Sequence, residues 1–532
     1  MLYSDWLKIR TQNQVNILPS KRMGGRMLTW SVFSYFRLVM LQLLRAVPLK
    51  SCRWSSSSLD KFRERLNVHI ESSDHSKYQK LNKLLPRERI FSLLDQDSAF
   101  LELSQLAGDR MYKKDLIKSG GLITGIGIVN EKLCMIMYSD FTVKGGSFYP
   151  IGLKKYLRAQ EIAAQCELIS IHLTESGGAA LPYQADLFIE GGETFYNIAK
   201  ASAAGLTQLT VVFGSCTAGA AYVPAMCEEN VIVDRKGYIF LGGPPLVQAA
   251  TGAVVSAEEL GGAIVHCSQS GVSDYFAAND QHAIELARKI IRNSNYKHNK
   301  KLVDLFSKSA VKTSDFNFDG TQRICARKLI EALADENEFD EFKKMYGNDI
   351  VTGFCNVSKI HCGVISNNGV LSVEGALKAT SFVQICSKRK IPLIFIQNAL
   401  GIEKHDNLEV QDNRGKAKAA LMSVVACSEV PKVTLIIGAS HGIENFAFCG
   451  RSFSPNFLFT WPNAKVSSIN CESIPNSQHQ FEKEEEEAVF GSARLWDDGI
   501  IEPRDTKQVI SLSLASALNR TIKNSVFPVL RM

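Results

Sequence analysis

A long internal repeat is the feature of this 532-residue chain that most constrains its fold. Residues 120–225 and 350–450 share one order of patterns: an apolar strand near a cysteine, a helical stretch, a second apolar strand, and a third strand that ends in glycine. The offset between the copies is 228 residues near their start and 224 at the glycines that end the third strands, Gly214 and Gly438. Because the register holds over roughly a hundred residues, the repeat predicts two similar domains in tandem.

The secondary-structure pattern inside each copy indicates the fold class. Short strands alternate with helical segments such as residues 154–166 and 376–388, which is typical of α/β domains with helices packed outside a buried sheet. The chain is also too long for a single core. We therefore predict an N-terminal extension over residues 1–58, a first domain over 59–315 and a second domain over 316–532.

The net charge of +7 comes from the N-terminal segment. Residues 1–58 hold nine Lys or Arg and one acid, which leaves 52 basic and 53 acidic residues in the rest of the chain, so no nucleic-acid partner is predicted. A basic, acid-poor segment of this kind is typical of a mitochondrial transit peptide and predicts the mitochondrial matrix as the location. Arg37 and Arg45 interrupt its apolar run before the ~20 residues that a membrane span needs. A poorly folded extension without a targeting role is the alternative.

Cysteine and histidine spacing gives no metal site. The thirteen cysteines contain no C-x-x-C pair, and the ten histidines contain no H-E-x-x-H motif. The pattern indicates reduced thiols in a protein without a disulfide framework or a zinc ion.

Three small-residue turns follow three consecutive predicted strands of the first copy. The turns contain Lys144-Gly145-Gly146, Gly177-Gly178 and Ala218-Gly219-Ala220. Turns at one edge of an open α/β sheet are where ligands bind, and their free amides can form an oxyanion hole. The alternative is a set of tight turns in which small residues only allow close packing. None of the turns matches a phosphate-binding loop, so the chain is not expected to use ATP.

The segment from Gly438 to Gly442 has the form G-x-S-x-G, which occurs at the nucleophilic serine of α/β-hydrolases. That fold needs an acid and then a histidine downstream, and the only later histidine is His479. The short remaining chain makes a serine hydrolase a poor interpretation.

Six motifs together resemble the carboxyltransferase subunit of biotin-dependent acyl-CoA carboxylases, most of all the subunits that act on 3-methylcrotonyl-CoA. The motifs are TVKGG at 142–146, LRAQEI at 157–162, GSCTAG at 214–219, GPPLV at 243–247, ATG at 250–252 and WDDGII at 496–501. The resemblance extends from about residue 60 to the C-terminus.

The resemblance implies an α/β fold of two crotonase-like (ClpP-like) ββα-superhelix domains in tandem. It implies that the first domain binds acyl-CoA and that the second domain of a neighbouring protomer receives carboxybiotin, within a homo-oligomeric core. A biotin-carrying α subunit would supply the carboxybiotin. The chain has no Met-Lys-Met biotinylation site, so no covalently bound cofactor is expected.

The resemblance also implies roles for individual residues. The amides of Gly219 and Ala220 would stabilise the thioester oxyanion, and Ile443 and Glu444 occupy the positions of the matching pair on the biotin side. The other residues on the acyl-CoA side would be Lys144, Gly145, Gly146, Gly177, Gly178, Ala218 and Tyr222. The other residues on the biotin side would be Asn398, Gly401 and Gly442.

Several residues depart from the family pattern. Small residues are expected where this chain has Ile443 and Glu444, and a branched side chain and a carboxylate there would obstruct the ligand and repel a developing anion. Lys418 replaces a glycine, and Tyr183 replaces an arginine. These changes lead to the hypothesis of a carboxyltransferase with reduced activity or, as the alternative, a non-catalytic subunit of a carboxylase complex.

A hydratase or thioesterase is a third interpretation of the crotonase-like pattern. Such an enzyme would need an acid or base beside the Gly219 turn, and the next acidic residue along the chain is Glu228. We therefore rank this interpretation below carboxyl transfer.

Overall fold

The structure is a computed structural model that describes residues 56–70, 78, 80, 83–113, 115–296, 299–307, 325–398, 408–468 and 483–530. Residues Trp54–Met532 form one compact unit. The described residues begin at the helix that starts at Ser56, so nearly all of the predicted transit peptide lies outside them. The predicted domain boundary at residues 315 and 316 also lies outside them.

The first half of the chain forms a sheet in the order β1-β2-β3-β4-β5-β6-β8, with β7 paired to β5. All pairs from β3 onward are parallel, whereas β1-β2 and β2-β3 are antiparallel. The strands are β1 Leu101–Leu103, β2 Leu122–Val129, β3 Lys132–Ser139, β4 Ile169–Ser176, β5 Gln208–Thr217, β6 Glu229–Val233, β7 Tyr238–Phe240 and β8 Tyr275–Ala277.

The second half repeats this arrangement in a sheet of order β15-β13-β12-β11-β10-β9, and β14 pairs separately with β16. Again an antiparallel hairpin leads into parallel strands. The strands are β9 Asp340–Glu341, β10 Ile350–Val357, β11 Ile360–Asn367, β12 Leu393–Gln397, β13 Lys432–Ile436, β14 Ala439–His441, β15 Phe457–Thr460 and β16 Lys465–Ser467. The structure therefore confirms the predicted tandem α/β repeat.

Helices pack around both sheets. Those of the first half are α1 Ser56–Ile70, α2 Pro86–Leu93, α3 Pro150–Gln165, α4 Gln184–Ala203, α5 Tyr222–Met226, α6 Pro244–Thr251, α7 Ala257–Gly261, α8 Ala263–Val265, α9 Asp280–Asn293 and α10 Lys300–Asp304. Those of the second half are α11 Ala326–Leu333, α12 Val373–Arg389, α13 Leu408–Cys427, α14 Gly442–Ala447, α15 Ala488–Ala493 and α16 Thr506–Ala517. Within the described residues, no helix is both long and apolar enough to cross a membrane.

Two matching hairpins show how closely the halves correspond. In each hairpin two eight-residue strands are joined by two residues with positive φ, 47° and 60° in the first and 50° and 65° in the second. Such turns have the twist that tight hairpins require. Asp95 accepts both turn amides of the first hairpin at 2.8 Å, and Asp335 accepts those of the second at 3.0 and 2.6 Å. These aspartates stabilise turns that lack glycine.

A buried lysine in each half is a second shared feature. Lys155 in α3 donates to the carbonyls of Ser104, Ser119 and Leu122 at 2.7–3.1 Å, and Lys378 in α12 donates to that of Ile350 at 2.9 Å. Leu122 and Ile350 are the first residues of the corresponding strands β2 and β10. Burial lowers the pKa of Lys155 to about 7 and lowers that of Lys378 as well.

The two halves share a core and a buried charge cluster. One continuous apolar cluster includes Met135 and Tyr156 of the first half and Val433 and Trp461 of the second. Asp498, in the WDDGII motif, accepts from Arg158 of α3 at 2.9 and 3.0 Å and from Arg451 at 2.8 Å. Burial alone would raise the pKa of Asp498, but the two guanidinium groups hold it well below its usual range. The motif thus ties the halves together.

Helix α1 also contacts both halves. Its His69 lies 3.2 Å from Asp109 in the first half, and its Arg63 pairs with Glu502 in the second. Residues 482–487 form an acidic run, EKEEEE. Lys61 pairs with Glu487 of this run, and Glu486 is buried and accepts a hydrogen bond from Ser467 at 3.3 Å. The sequence predicts a solvated helix face for this run, and this interpretation is wrong for the buried Glu486.

Candidate active site

The three small-residue turns lie side by side at one edge of the first sheet. They follow β3, β4 and β5, which are neighbouring parallel strands, so the carboxyl ends of these strands meet at one edge. In each turn an outer residue is at least partly exposed and an inner one is buried. The outer and inner residues are Gly145 and Gly146, Gly177 and Gly178, and Gly219 and Ala220. The predicted meeting of the three turns is confirmed.

Backbone contacts hold these turns together. The amide of Gly177 donates to the carbonyl of Gly145 at 3.1 Å, and the Ser176 hydroxyl donates to the carbonyl of Gly146 at 2.7 Å. A side chain at Gly178 would meet the carbonyl oxygen of Thr217 at 3.1 Å, and the backbone there has a φ of +91°. The positive φ therefore favours glycine at this position, and the short distance to Thr217 leaves little room for a side chain.

The third turn carries the residues predicted to bind the thioester oxygen. Ala218 has a φ of +55°, whereas Ala220 is not among the positive-φ residues. An alanine in place of glycine at 220 is thus tolerated without backbone strain. The half-exposed Tyr222 packs edge-to-face on Phe195, with ring centroids 5.6 Å apart.

The first turn has a polar and aromatic margin. Lys144 donates to Asp115 at 2.5 Å, and Asp115 also accepts from the Tyr149 hydroxyl at 3.2 Å. Tyr149 and Tyr183 both pack against Tyr112, with ring centroids 5.1 and 5.4 Å from it. Tyr183 stands where the sequence analysis expected an arginine. Its side chain packs in an aromatic cluster and carries no positive charge toward the first turn.

A buried acid that sequence order did not identify lies beside β5, at Gly214, four residues before the third turn begins. The buried Glu175 lies against Gly214, where an added Cβ would be 2.6 Å from its Oε1 atom, and it pairs with Lys83 and Arg89. The residue expected from sequence, Glu228, instead accepts the amide of Gln208 at the opposite end of β5. A carboxylate that is buried between two cations is poorly suited to acid–base chemistry, so the hydratase interpretation gains no support.

Ser440 of the G-x-S-x-G segment is fully buried. Its hydroxyl donates to Gln397 and accepts from the Asn445 side chain at 2.8 Å, while the neighbouring His441 contacts Ser467. A nucleophile must be exposed and paired with a base, and Ser440 is neither. The structure thus excludes Ser440 as the nucleophile of a serine hydrolase.

The corresponding turn of the second half begins at Gly442, which has a φ of +54° and leads into α14. Ile443 is 52% exposed and Glu444 is 6% exposed, which is the same outward and inward order as Gly219 and Ala220. Asn398 lies at the end of β12, close to Gly438. Gly401 lies outside the described residues.

Residues 77–489 match the family of the carboxyl transferase domain over most of the chain. The chain belongs to the carboxyl transferase family. This membership confirms the resemblance and the tandem crotonase-like fold that it implied.

Relatives of this carboxyl transferase are similar over most of their length. It is 46% identical over 492 residues to the mitochondrial methylcrotonoyl-CoA carboxylase beta chain of Arabidopsis thaliana, covering 85% of this chain and 84% of that one. Identity to the probable beta chain of Drosophila melanogaster is 43%, over 85% and 86% of the two chains. The beta subunit of geranyl-CoA carboxylase from P. aeruginosa superposes with a TM-score of 0.76 at 32% identity, covering 91% of this chain and 98% of that one.

Two residues that the sequence analysis of this carboxyl transferase singled out as unusual, Lys418 and Glu444, contact each other. The Glu444 carboxylate lies 3.5 Å from the Lys418 ammonium group and 3.4 Å from the Leu371 amide. Burial raises the pKa of Glu444, and Lys418 opposes that rise. We expected a carboxylate on the ligand side of the turn, and this expectation is wrong because the side chain points into the domain. Ile443 is the side chain that the turn exposes.

Proposed function

We propose that this chain is the carboxyltransferase subunit of a biotin-dependent acyl-CoA carboxylase, with an enoyl-CoA such as 3-methylcrotonyl-CoA as acceptor. The main support is the set of three contacting turns at the carboxyl edge of the first sheet, together with a second turn of like geometry in the second half. In this proposal the amides of Gly219 and Ala220 bind the thioester oxygen. The substrate contacts come from Lys144, Gly145, Gly146, Gly177, Gly178, Ala218 and Tyr222.

The chemistry needs positioning and charge stabilisation more than a reactive side chain. When bound, carboxybiotin supplies both the CO2 and the base that removes the γ-proton of the enoyl thioester. Backbone donors of the first half then stabilise the dienolate oxygen while its carbon attacks CO2. A donor of this type contributes about 3 kcal/mol of transition-state stabilisation.

The second half fits the biotin side of this reaction. Because Glu444 is buried beside Lys418, its charge is kept from the exposed face of the turn. The backbone at Gly442, Ile443 and Glu444 and the amide side chain of Asn398 would hold the ureido group. Gly401 is proposed here on the resemblance alone.

Exposed apolar residues near the first site support a homo-oligomeric core. Leu181, Phe188, Ile189 and Tyr196 are each more than 60% exposed, and they lie on or just before α4, which contacts α5. Large apolar side chains that are exposed together on one helix commonly mark an interface. We assign it to the second half of a neighbouring protomer, so that each active site lies between two chains and faces the biotin-carrying α subunit. The location we propose is the mitochondrial matrix.

A transfer assay tests the proposal. The chain would be co-expressed with the biotin-carrying subunit of the same source and supplied with ATP, labelled bicarbonate and 3-methylcrotonyl-CoA. We expect label to appear in the acyl-CoA product, at a rate that depends on the amount of this chain. Biotin carboxylation without transfer to acyl-CoA would contradict the proposal.

A non-catalytic subunit is the second candidate, and the exposed side chain of Ile443 favours it. The variant Ile443→Ala separates the two candidates. A rise of tenfold or more in transfer rate would indicate that the natural chain is impaired, whereas a measurable transfer rate that Ile443→Ala leaves unchanged would indicate an active enzyme. No transfer by either chain would support the non-catalytic subunit. Glu444→Ala in the same assay is the matched control, because it truncates the buried neighbouring side chain and leaves the exposed Ile443 in place.

A further inference from the structure

We propose that Glu175 is the positioning residue for the turn that binds the thioester oxygen. The inference rests on the proposed function, because it assigns a role within that same site. Glu175 is the residue just before the Ser176–Gly178 turn, and it is fully buried.

The backbone around Glu175 is irregular in a way that sets the path of β5. The register between β4 and β5 shifts there: Thr174 pairs with Val212, but Ser176 pairs with Cys216. Three residues of β5, 213 to 215, therefore stand opposite the single residue Glu175. Such a bulge bends a strand and redirects the residues that follow it. Those residues are Ala218 to Ala220.

Glu175 contacts both neighbouring segments of the site. Its side chain fills the space beside Gly214 in the bulge, where a Cβ would be 2.5 Å from Cδ and 2.6 Å from Oε1. Its backbone lies against Gly146, where a Cβ would overlap the Glu175 carbonyl oxygen. One residue thus keeps the β3 turn and the β5 bulge at fixed distances from β4.

Buried charges fix the Glu175 side chain in turn. One carboxylate oxygen accepts from Lys83 and the other accepts from Arg89 at 2.8 Å. Arg89 also donates to Asp280 at 2.7 and 3.0 Å, and Lys236 pairs with Asp280 at 3.2 Å. Three cations thus surround two anions, so neutralising Glu175 leaves Lys83 and Arg89 with too little negative charge in a buried site.

The Arg89 guanidinium also reaches the bulge directly. It lies 4.2 Å from the ring centroid of Phe213, the first bulged residue, and donates to the Tyr138 hydroxyl at 2.8 Å. A change at Glu175 would therefore shift β5 both at Gly214 and at Phe213. Because a displacement of about 1 Å in a catalytic group can cost roughly 100-fold in rate, even a small shift is measurable.

The test uses Glu175→Gln, which keeps the shape of the side chain and removes its charge. We expect kcat for carboxyl transfer to fall roughly 10- to 100-fold with KM for the acyl-CoA within about twofold. Affinity for a CoA thioether bearing a nitronate anion, which mimics the enolate, should fall by the same factor. Asp95→Asn is the control. It weakens the first domain at the hairpin turn between β2 and β3, at the opposite end of β3 from the Lys144–Gly146 turn, and should leave kcat and nitronate affinity within about twofold.

A second arm depends on contact rather than on charge. Gly214→Ala should lower kcat in the natural chain, but should cost little more when combined with Glu175→Ala, which vacates the space. Additive losses would contradict the proposed contact.

Each outcome separates the positioning role from the proposed function. Equal nitronate affinity in the natural chain and in Glu175→Gln overturns the positioning role whatever the turnover. Tight nitronate binding that Glu175→Gln loses, in a chain without transfer activity, supports the positioning role and contradicts the proposed function. Failure of the natural chain to bind the nitronate overturns both.

Discussion

The two halves of the molecule have the same framework and differ at the turns that would contact ligands. Both have a hairpin whose turn amides bind an aspartate, a buried lysine, and parallel strands that follow the hairpin. Both also have a pair of turn residues, of which one is exposed and one is buried. In the first half the pair is Gly219 and Ala220, and in the second it is Ile443 and Glu444. The comparison shows that the scaffold interactions lie away from the turns, so a turn can change its chemistry while its domain keeps its fold.

The halves also differ in how they hold a buried acid near these turns. In the first half Glu175 comes from the neighbouring strand and pairs with Lys83 and Arg89. In the second half Glu444 belongs to the turn itself and pairs with Lys418. In the first half the acid lies on the strand beside the one that leads into the turn. In the second half the acid is the inward-facing residue of the turn itself. Ile443 is therefore the change that a ligand would meet.

Proline substitutions compare the two turns directly and should have the largest effect. Ala220→Pro and Ile443→Pro each remove one proposed amide donor, and we expect each to lower kcat by roughly 100-fold. Steady-state transfer assays at saturating acyl-CoA measure the effect, and Ala220→Ser, which keeps the amide, is the control. A loss confined to Ala220→Pro would mean that only the first half contributes to catalysis.

Removing the cation beside Glu444 tests whether the second turn depends on its own ion pair. We expect Lys418→Met to lower the free energy of unfolding by about 3 kcal/mol, because it leaves a buried carboxylate unpaired. Urea denaturation of Lys418→Met, Glu444→Gln and the double variant measures the coupling. Since burial raises the pKa of Glu444, the loss should shrink as the pH is lowered toward 4.5. Additive losses at neutral pH would contradict the pairing.

The variant Asp497→Asn tests how much a second buried acid of the second half lowers the free energy of unfolding. Burial raises its pKa to about 6, and its Oδ1 atom has no hydrogen-bond partner within the part of the chain that the structure describes. The folded state therefore binds the proton more tightly than the unfolded state, so the contribution of Asp497 to stability is greatest below pH 4 and falls as the pH rises from about 4 to 6. Asp497→Asn should raise the free energy of unfolding by about 2 kcal/mol at pH 7.5.

The same variant should give no gain at pH 4, where the natural carboxyl is protonated. Thermal denaturation at the two pH values makes the comparison. A gain of equal size at both values would show that the carboxylate charge is not the cause.

The smallest expected effect concerns the shared hairpins. Asp95→Asn and Asp335→Asn each weaken the hydrogen bonds to two turn amides, and we expect each to cost about 1 kcal/mol of unfolding free energy. Equivalent roles predict equal losses in urea denaturation. A clear difference between the two losses would show that the two hairpins have similar geometry but contribute unequally to stability.

Sequence patterns predicted the repeat, the alternating strands and helices, and the meeting of the three turns. These features depend on local periodicity and on the rule that parallel strands end at one edge. The helix predicted over 154–166 is observed as Pro150–Gln165, and the one predicted over 376–388 as Val373–Arg389. Glycines at the ends of strands were the strongest signal for the site.

Contacts between distant residues could not be predicted in the same way. Glu175 and Gly214 are 39 positions apart and meet only because a bulge aligns them, and Arg158 meets Asp498 across 340 positions. The inward direction of Glu444 depends on the left-handed turn at Gly442 and on the position of α13. Sequence showed that Lys418 and Glu444 were unusual, and only the fold brings them together.

The contact between Lys418 and Glu444 has a consequence for the history of this sequence. A chain that acquired Glu444 first would have buried an unpaired carboxylate, at a cost of several kcal/mol. A chain that acquired Lys418 first would have carried a partly exposed lysine on a helix, which costs little. The accessible evolutionary path is therefore lysine before glutamate, and reversion must take the opposite order. Ancestral sequences along this lineage should contain the lysine alone and should not contain the glutamate alone.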